Sequence, residues 1–197
     1  AFGNAGQKCS ACSLLLVERS VYEDENFRSK LKDAATSLKT GSVWNAGNIV
    51  GPMITNKNDK LLQAFNLEPG ESWLVPPHFI DHREYILAPT VKWGVKPESF
   101  SFRTELFGPL LSVACIENLE EGIKLVNGLD YGLTSGLQSL DEKEQKLWKN
   151  SVMAGNLYIN RGITGAIVNR QPFGGMKLSA FGGGIKAGGP NYCTCFL

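Results

Sequence analysis

Cys9 is the residue whose setting first suggests chemistry. Small and polar residues precede and follow it in Gly6-Gln7-Lys8-Cys9-Ser10, and the apolar run Leu14-Leu15-Leu16-Val17 comes soon after. A loop just ahead of a buried strand can present a thiol while aiming backbone N–H groups at a reacting carbonyl oxygen. Lys8 favours the thiolate if the two side chains meet in space. Two turns further along offer complementary groups. Glu105-Leu106-Phe107-Gly108-Pro109 joins a carboxylate and an aromatic ring to a Gly-Pro turn, and Asn169 to Gly175 presents Phe173 between turn residues. Taken singly, each is a turn carrying a solvated charge.

Other constellations carry less. Cys9 and Cys12 form a C-x-x-C, but zinc would want two such knuckles, and a redox pair would want a helix at the first cysteine. Cys12, Cys115 and Cys195 read as core thiols, and no metal site is expected. His78 and His82 are the only histidines. They follow Pro76-Pro77 and fit an exposed turn better than a metal pair or the base of a cysteine hydrolase. Gly182 to Ala187 spells G-x-G-x-x-A, yet it follows another glycine-rich loop instead of a strand, so a dinucleotide fingerprint is rejected.

The elements that must carry these loops alternate between strand and helix. Residues 12–17, 84–91, 110–116, 156–160 and 192–197 read as strands. Asp24 precedes the stripe Phe27, Leu31, Ala34/Ala35, Leu38, which predicts an amphipathic helix stopped by Gly41. A short helix is expected around 59–66 with Leu61, Leu62 and Phe65 inward. Another runs from an Asn118 cap through Leu119, Ile123 and Val126, and a charged one begins at Asp141 and carries Leu147 and Trp148. That order indicates an α/β domain with a largely parallel sheet.

Composition narrows the function classes. Twenty basic and 19 acidic residues give a net charge of +1, which is no footprint for nucleic acid or an anionic membrane. No apolar stretch is long enough to span a bilayer. Five cysteines, an odd count, with no N-x-S/T sequon fit a reducing, intracellular (cytoplasmic) setting. Of 22 glycines, nine fall between Gly162 and Gly189, without the three-residue period of collagen.

In this order and together, the segments resemble the C-terminal catalytic part of the aldehyde dehydrogenase superfamily along essentially the whole chain. The motifs are G-Q-K-C-S at 6–10, E-L-F-G-P at 105–109, L-D-Y-G-L-T-S-G at 129–136, G-N-L-Y-I-N-R at 155–161 and Q-P-F-G-G at 171–175. Cys9 followed by Ser10, Gly165-Ala166 ahead of Q-P-F-G-G, and Lys186 to Tyr192 are similar to the 1-pyrroline-5-carboxylate dehydrogenase group. Those enzymes oxidise glutamate semialdehyde to glutamate, alone or within bifunctional proline-utilisation proteins.

The resemblance implies a catalytic-domain fold over residues 1–190, with a largely parallel sheet flanked by helices. It implies a tail strand at 191–197 that pairs with a neighbouring subunit of a homo-oligomer. Cys9 becomes the nucleophile, passing through a thiohemiacetal before hydride goes to NAD. Glu105 is implied to hydrogen-bond the nicotinamide ribose and Phe107 to pack alongside the cofactor. Ser10, Gly165 and Ala166 are implied to anchor the substrate α-carboxylate, with Phe173 as an aromatic wall. The family usually carries an Arg a few residues after the cysteine, and none stands here. In family order the NAD-binding domain, the general-base Glu and the oxyanion Asn precede Ala1, so the 197 residues alone are expected to be inactive. A non-catalytic folding or oligomerisation module and a different aldehyde dehydrogenase subfamily are the alternatives.

Overall fold

The computed structural model describes residues 1–55, 58–81, 83, 85–167, 169–181, 186–189 and 192–197. The chain divides into two compact units, Ala1–Asn118 and Leu119–Leu197. No change of composition marks that divide, which is why a sequence reading runs one domain straight through it.

The first unit contains β1 (Leu14–Glu18), α1 (Arg19–Tyr22), α2 (Glu25–Thr36), α3 (Asp59–Gln63), β2 (Ser72–Val75), β3 (Phe79–Asp81), β4 (Ile86–Leu87), β5 (Thr90–Trp93), α4 (Phe100–Arg103) and β6 (Leu110–Ile116). Four strands form a sheet in the order β1-β6-β5-β2. The β1–β6 and β5–β6 pairs are parallel and β2–β5 is antiparallel. The expected α/β class with a largely parallel sheet is therefore present. Strand β6 reads Leu-Leu-Ser-Val-Ala-Cys-Ile and is buried at every position except Cys115. An almost unbroken apolar run of that kind suits a strand covered on both faces.

Lys92 breaks the apolar pattern inside β5, with its side chain 1% exposed. Its Nζ donates to Glu71 Oε2 and to the Asn66 carbonyl, each at 2.9 Å, and lies 5.4 Å from the Trp73 ring centroid. A buried charge needs such partners, because an unpaired one carries a desolvation cost of several kcal/mol.

Local rules decide the helix ends. Asp24 accepts from the Asn26 N–H at 2.9 Å and caps α2. The helix stops at Thr36, short of Gly41. There the Thr36 and Ser37 hydroxyls donate back to the Lys32 and Ala34 carbonyls, competing with continued helix. The expectation that Leu62 faces inward is corrected: Leu61 is buried and Leu62 is 43% exposed, since adjacent helical residues lie about 100° apart. The single strand expected over 84–91 is corrected too. It is two strands, β4 and β5, separated by Ala88 and Pro89, and proline cannot donate to a ladder. Glu84 lies outside the described residues.

The second unit contains α5 (Leu119–Asn127), β7 (Tyr131–Gly132), β8 (Thr134–Leu137), α6 (Glu142–Ser151), β9 (Asn156–Ile159) and β10 (Met176–Lys177). Strands β8 and β9 pair in parallel, with Thr134 opposite Asn156. A small core of Ile123, Trp148, Val152 and Ala154 holds the helices against them. The Asp141 carboxylate accepts from the Lys143 N–H at 2.7 Å and caps α6. Tyr192–Phe196 forms a 3-10 helix, where a strand was expected over 192–197. A strand exists only by pairing with an edge, and the Tyr192 N–H bonds locally, to the Gly189 carbonyl. Among the described residues no helix is long and apolar enough to cross a membrane.

Candidate functional site

In the first unit, the cysteine loop begins with a run of left-handed backbone. Asn4, Ala5 and Gly6 have φ of 55, 53 and 69°, and the Asn4 side chain donates to the Gln7 carbonyl at 3.0 Å. The Ala11 N–H then bonds the Lys8 carbonyl at 2.9 Å, closing a turn with Cys9 and Ser10 at its tip. Cys9 is exposed, as is Lys8. Ser10 is buried, at 9% exposure.

The two nearby thiols differ in kind. Cys12 is half-buried against the core, and its Sγ donates to the Leu14 carbonyl at 3.3 Å. Burial pushes the Cys12 thiol up, away from the reactive thiolate. Cys115 is half-buried in β6. Cys12 and Cys115 are thus structural cysteines at the margin of the core, and the Cys195 side chain lies outside the described residues.

The Thr104–Pro109 segment, between α4 and β6, runs beside the cysteine loop. Glu105 is exposed, and Phe107 is 42% exposed with φ 49°. Two amide side chains, neither given a role of its own by the sequence, hold these loops. Gln7 Nε2 donates to the Phe107 carbonyl at 3.3 Å, and Gln7 Oε1 accepts from the Ile54 N–H at 3.0 Å. Asn58 Nδ2 donates to the Leu106 carbonyl at 2.7 Å, while its Oδ1 caps α3 at the Leu61 N–H. Asn58 had a readable signal, an Asn directly ahead of Asp-Lys-Leu-Leu; the partners of Gln7 had none. Asn4, Gln7, Pro52, Met53, Ile54 and Phe107 line a cleft of about 430 Å³. An exposed thiol, a carboxylate and an aromatic ring thus stand on adjoining loops of one unit.

In the second unit, Gly165 is exposed at φ 86°, a conformation L side chains rarely adopt, and Ala166 is half-buried. Farther along, the backbone of Phe173 exchanges both hydrogen bonds with Ala187, at 2.8 and 2.9 Å, and the Asn169 N–H bonds the Gly188 carbonyl at 2.8 Å. Asn156, 3% exposed in β9, brackets the same ring. Its Nδ2 donates to the Pro172 carbonyl at 3.0 Å, and its Oδ1 accepts from the Gly174 N–H at 3.1 Å. Ser10 and the pair Gly165-Ala166 belong to different units.

His78 is exposed just ahead of β3, and His82 lies outside the described residues, as do Gly182 to Ile185, Pro190 and Asn191. Among the described residues no group of three or more His, Cys, Asp or Glu side chains is placed to hold a metal ion.

The profile of the aldehyde dehydrogenase family matches residues 1–197. A 1-pyrroline-5-carboxylate dehydrogenase of Staphylococcus haemolyticus is 35% identical over 201 residues, covering 100% of this chain and 38% of its own length. Proline utilization A from Corynebacterium freiburgense superposes with a TM-score of 0.91 at 45% identity, over 98% of this chain and 20% of its own. A 1-pyrroline-5-carboxylate dehydrogenase from Thermus, solved with bound NAD, has a TM-score of 0.88 at 32% identity, over 100% of this chain and 37% of its own. The chain thus spans well under half the length of the relatives it matches.

Proposed function

Because the chain belongs to the aldehyde dehydrogenase family, we propose that the protein containing it oxidises L-glutamate 5-semialdehyde, the open form of 1-pyrroline-5-carboxylate, to glutamate with NAD. One observation carries this reading: exposed Cys9 sits on a turn whose Gln7 is bonded to the Phe107 carbonyl, so nucleophile, carboxylate and ring share adjoining loops. The sequence likeness to 1-pyrroline-5-carboxylate dehydrogenases supports the choice of substrate.

The residues present fit NAD at the Glu105–Phe107 loop. An exposed carboxylate suits ribose hydroxyls, a half-exposed ring suits the face of a heterocycle, and Gln7 and Asn58 hold the loop's backbone. When bound, NAD supplies the acceptor for the hydride that leaves the Cys9-bound carbon. The chain's own residues supply the nucleophile, one donor to the developing oxyanion and the substrate contacts. The Cys9 thiolate adds to the aldehyde carbon, forming the C–S bond, and the Cys9 backbone N–H donates to the oxygen that becomes charged. Cys9 later holds the acyl group as a thioester. Water cleaves that thioester, giving the carboxylic acid and returning the thiol. For the α-carboxylate, Gly165 and Ala166 offer adjacent backbone N–H groups, a nest suited to an anion, and Ser10 offers a hydroxyl. Phe173 walls the aliphatic chain.

The test uses the full-length protein. Wild type reduces NAD with glutamate semialdehyde, and Cys9→Ala abolishes this; equal turnover by the variant overturns the assignment. A kcat/KM for unsubstituted aliphatic aldehydes above that for glutamate semialdehyde transfers the reading to another subfamily. The 197-residue chain by itself is expected to show no NAD-dependent turnover. In this reading the whole protein works in the cytoplasm, or the mitochondrial matrix in a eukaryote, as a homo-oligomer paired through its 191–197 tail.

A further inference from the structure

We infer that Gln7 is a positioning residue that sets the spacing between the Cys9 turn and the Glu105–Phe107 loop, an inference that rests on the dehydrogenase reading above. Every polar group of Gln7 is engaged. Its N–H bonds the Asn4 carbonyl at 2.9 Å, and its own carbonyl accepts from the Asn4 side chain at 3.0 Å. Its side chain spans outward in two directions, donating to the Phe107 carbonyl and accepting from the Ile54 N–H. One residue therefore ties together the backbone of three segments: the start of the cysteine turn, the loop around Ile54, and the loop that carries Glu105 and Phe107.

The chemistry of the side chain is selective. One end must donate and the other must accept, which an amide does and neither a carboxylate nor an ammonium can. Phe107 adds a second, independent observation. Its backbone stands at φ 49°, unfavourable for a bulky L residue, and its carbonyl is the one that Gln7 holds. A backbone kept in that region needs its surroundings to hold it there. Removing the Gln7 donor leaves the Phe107 carbonyl to the longer, 3.5 Å bond from Asn58 Nδ2, and the ring shifts relative to Cys9. Thiol exposure, by contrast, depends on the Lys8–Ala11 turn, which Gln7 does not close.

Nucleophile chemistry and hydride transfer should therefore separate. In the full-length protein, Gln7→Met fills similar volume without either side-chain bond. Gln7→Glu keeps the acceptor for Ile54 and loses the donor to Phe107. The measurements are the rate of Cys9 alkylation by iodoacetamide without NAD, the steady-state kcat and KM for NAD with glutamate semialdehyde, and Tm. Alkylation should stay within about twofold of wild type, while kcat falls roughly tenfold to a hundredfold, as a misplacement of about 1 Å can produce. Gln7→Glu should fall at least as far as Gln7→Met while keeping its Tm. Unchanged kcat in both variants overturns the inference, and so does a parallel loss of alkylation, kcat and Tm, which marks Gln7 as a general support of the fold. A wild-type protein that fails to reduce NAD overturns the dehydrogenase reading itself, and this one with it.

Discussion

Gly6 and Gly108 approach so closely that a Cβ on Gly6 would stand 2.1 Å from the Gly108 carbonyl oxygen. The contact joins the segment ahead of Cys9 to the end of the Glu105–Phe107 loop, one residue from the Gln7–Phe107 bond. Backbone meets backbone there, so no flexible side chain can give way. Gly6 also lies at φ 69°, where an L side chain is strained. Gly6→Ala is expected to cost on the order of 3 kcal/mol, from overpacking together with the left-handed backbone. Urea denaturation of wild type and variant checks this. An unchanged midpoint would show that the two loops can part freely.

The buried Lys92–Glu71 pair should make the first unit sensitive to acid. Burial alone would raise the Glu71 carboxyl. The Glu68 N–H, the Lys92 ammonium and Ser99 together outweigh it and hold Glu71 below the usual carboxylate range. A carboxyl depressed in the folded state contributes stability that is complete above its ordinary pKa and is lost as pH falls through the folded value. Urea midpoints should therefore decline on acidification from neutral pH, and Glu71→Leu should remove most of that dependence while costing about 3–5 kcal/mol at neutral pH. Adding Lys92→Met to Glu71→Leu should recover much of the loss, because the stranded ammonium is then gone.

Asn156 offers a test of substrate placement. Asn156→Ala leaves the Pro172 carbonyl and the Gly174 N–H on either side of Phe173 without their present partner. Steady-state kinetics of the full-length variant should show a raised KM for glutamate semialdehyde with a smaller change in kcat, since Phe173 is the residue proposed to wall the substrate chain and Cys9 is untouched. About 1–3 kcal/mol of stability should go as well, the usual cost of stranding buried polar groups. Wild-type KM would mean that the Phe173–Ala187 bridge holds the ring unaided.

Lys177 closes α5 from outside the helix. Its ammonium donates to the carbonyls of Val126, Asn127 and Leu129 at 3.2, 3.0 and 2.8 Å, at the end of the helix where the dipole favours a cation. Lys177→Met should lower the stability of the second unit by about 1–2 kcal/mol. Faster amide exchange at the last turn of α5 would report it, and exchange at the wild-type rate would rule the contact out as a support.

The features that sequence alone determined are those whose causes are local. The apolar run over 110–116 demanded a strand. The stripe after Asp24 and the charged stretch from Asp141 demanded helices, and the ordered motifs around Cys9, Glu105 and Phe173 pointed to the aldehyde dehydrogenase family. Each rests on spacings of a few residues, which is the range over which backbone periodicity and capping act. Local reading failed where tertiary packing chose between options. The strands on either side of Pro89 pair with different neighbours, β4 with β3 and β5 with β2 and β6, and Ser10 is buried beside an exposed Cys9 because of how the turn is seated. The supports of the site were the least readable. Gln7 reaches a carbonyl 100 residues away, Asn156 reaches past both flanks of Phe173, and Lys92 finds Glu71 just ahead of the neighbouring strand. A polar side chain advertises only that it needs partners. Which backbone groups answer is settled when the fold brings distant segments together.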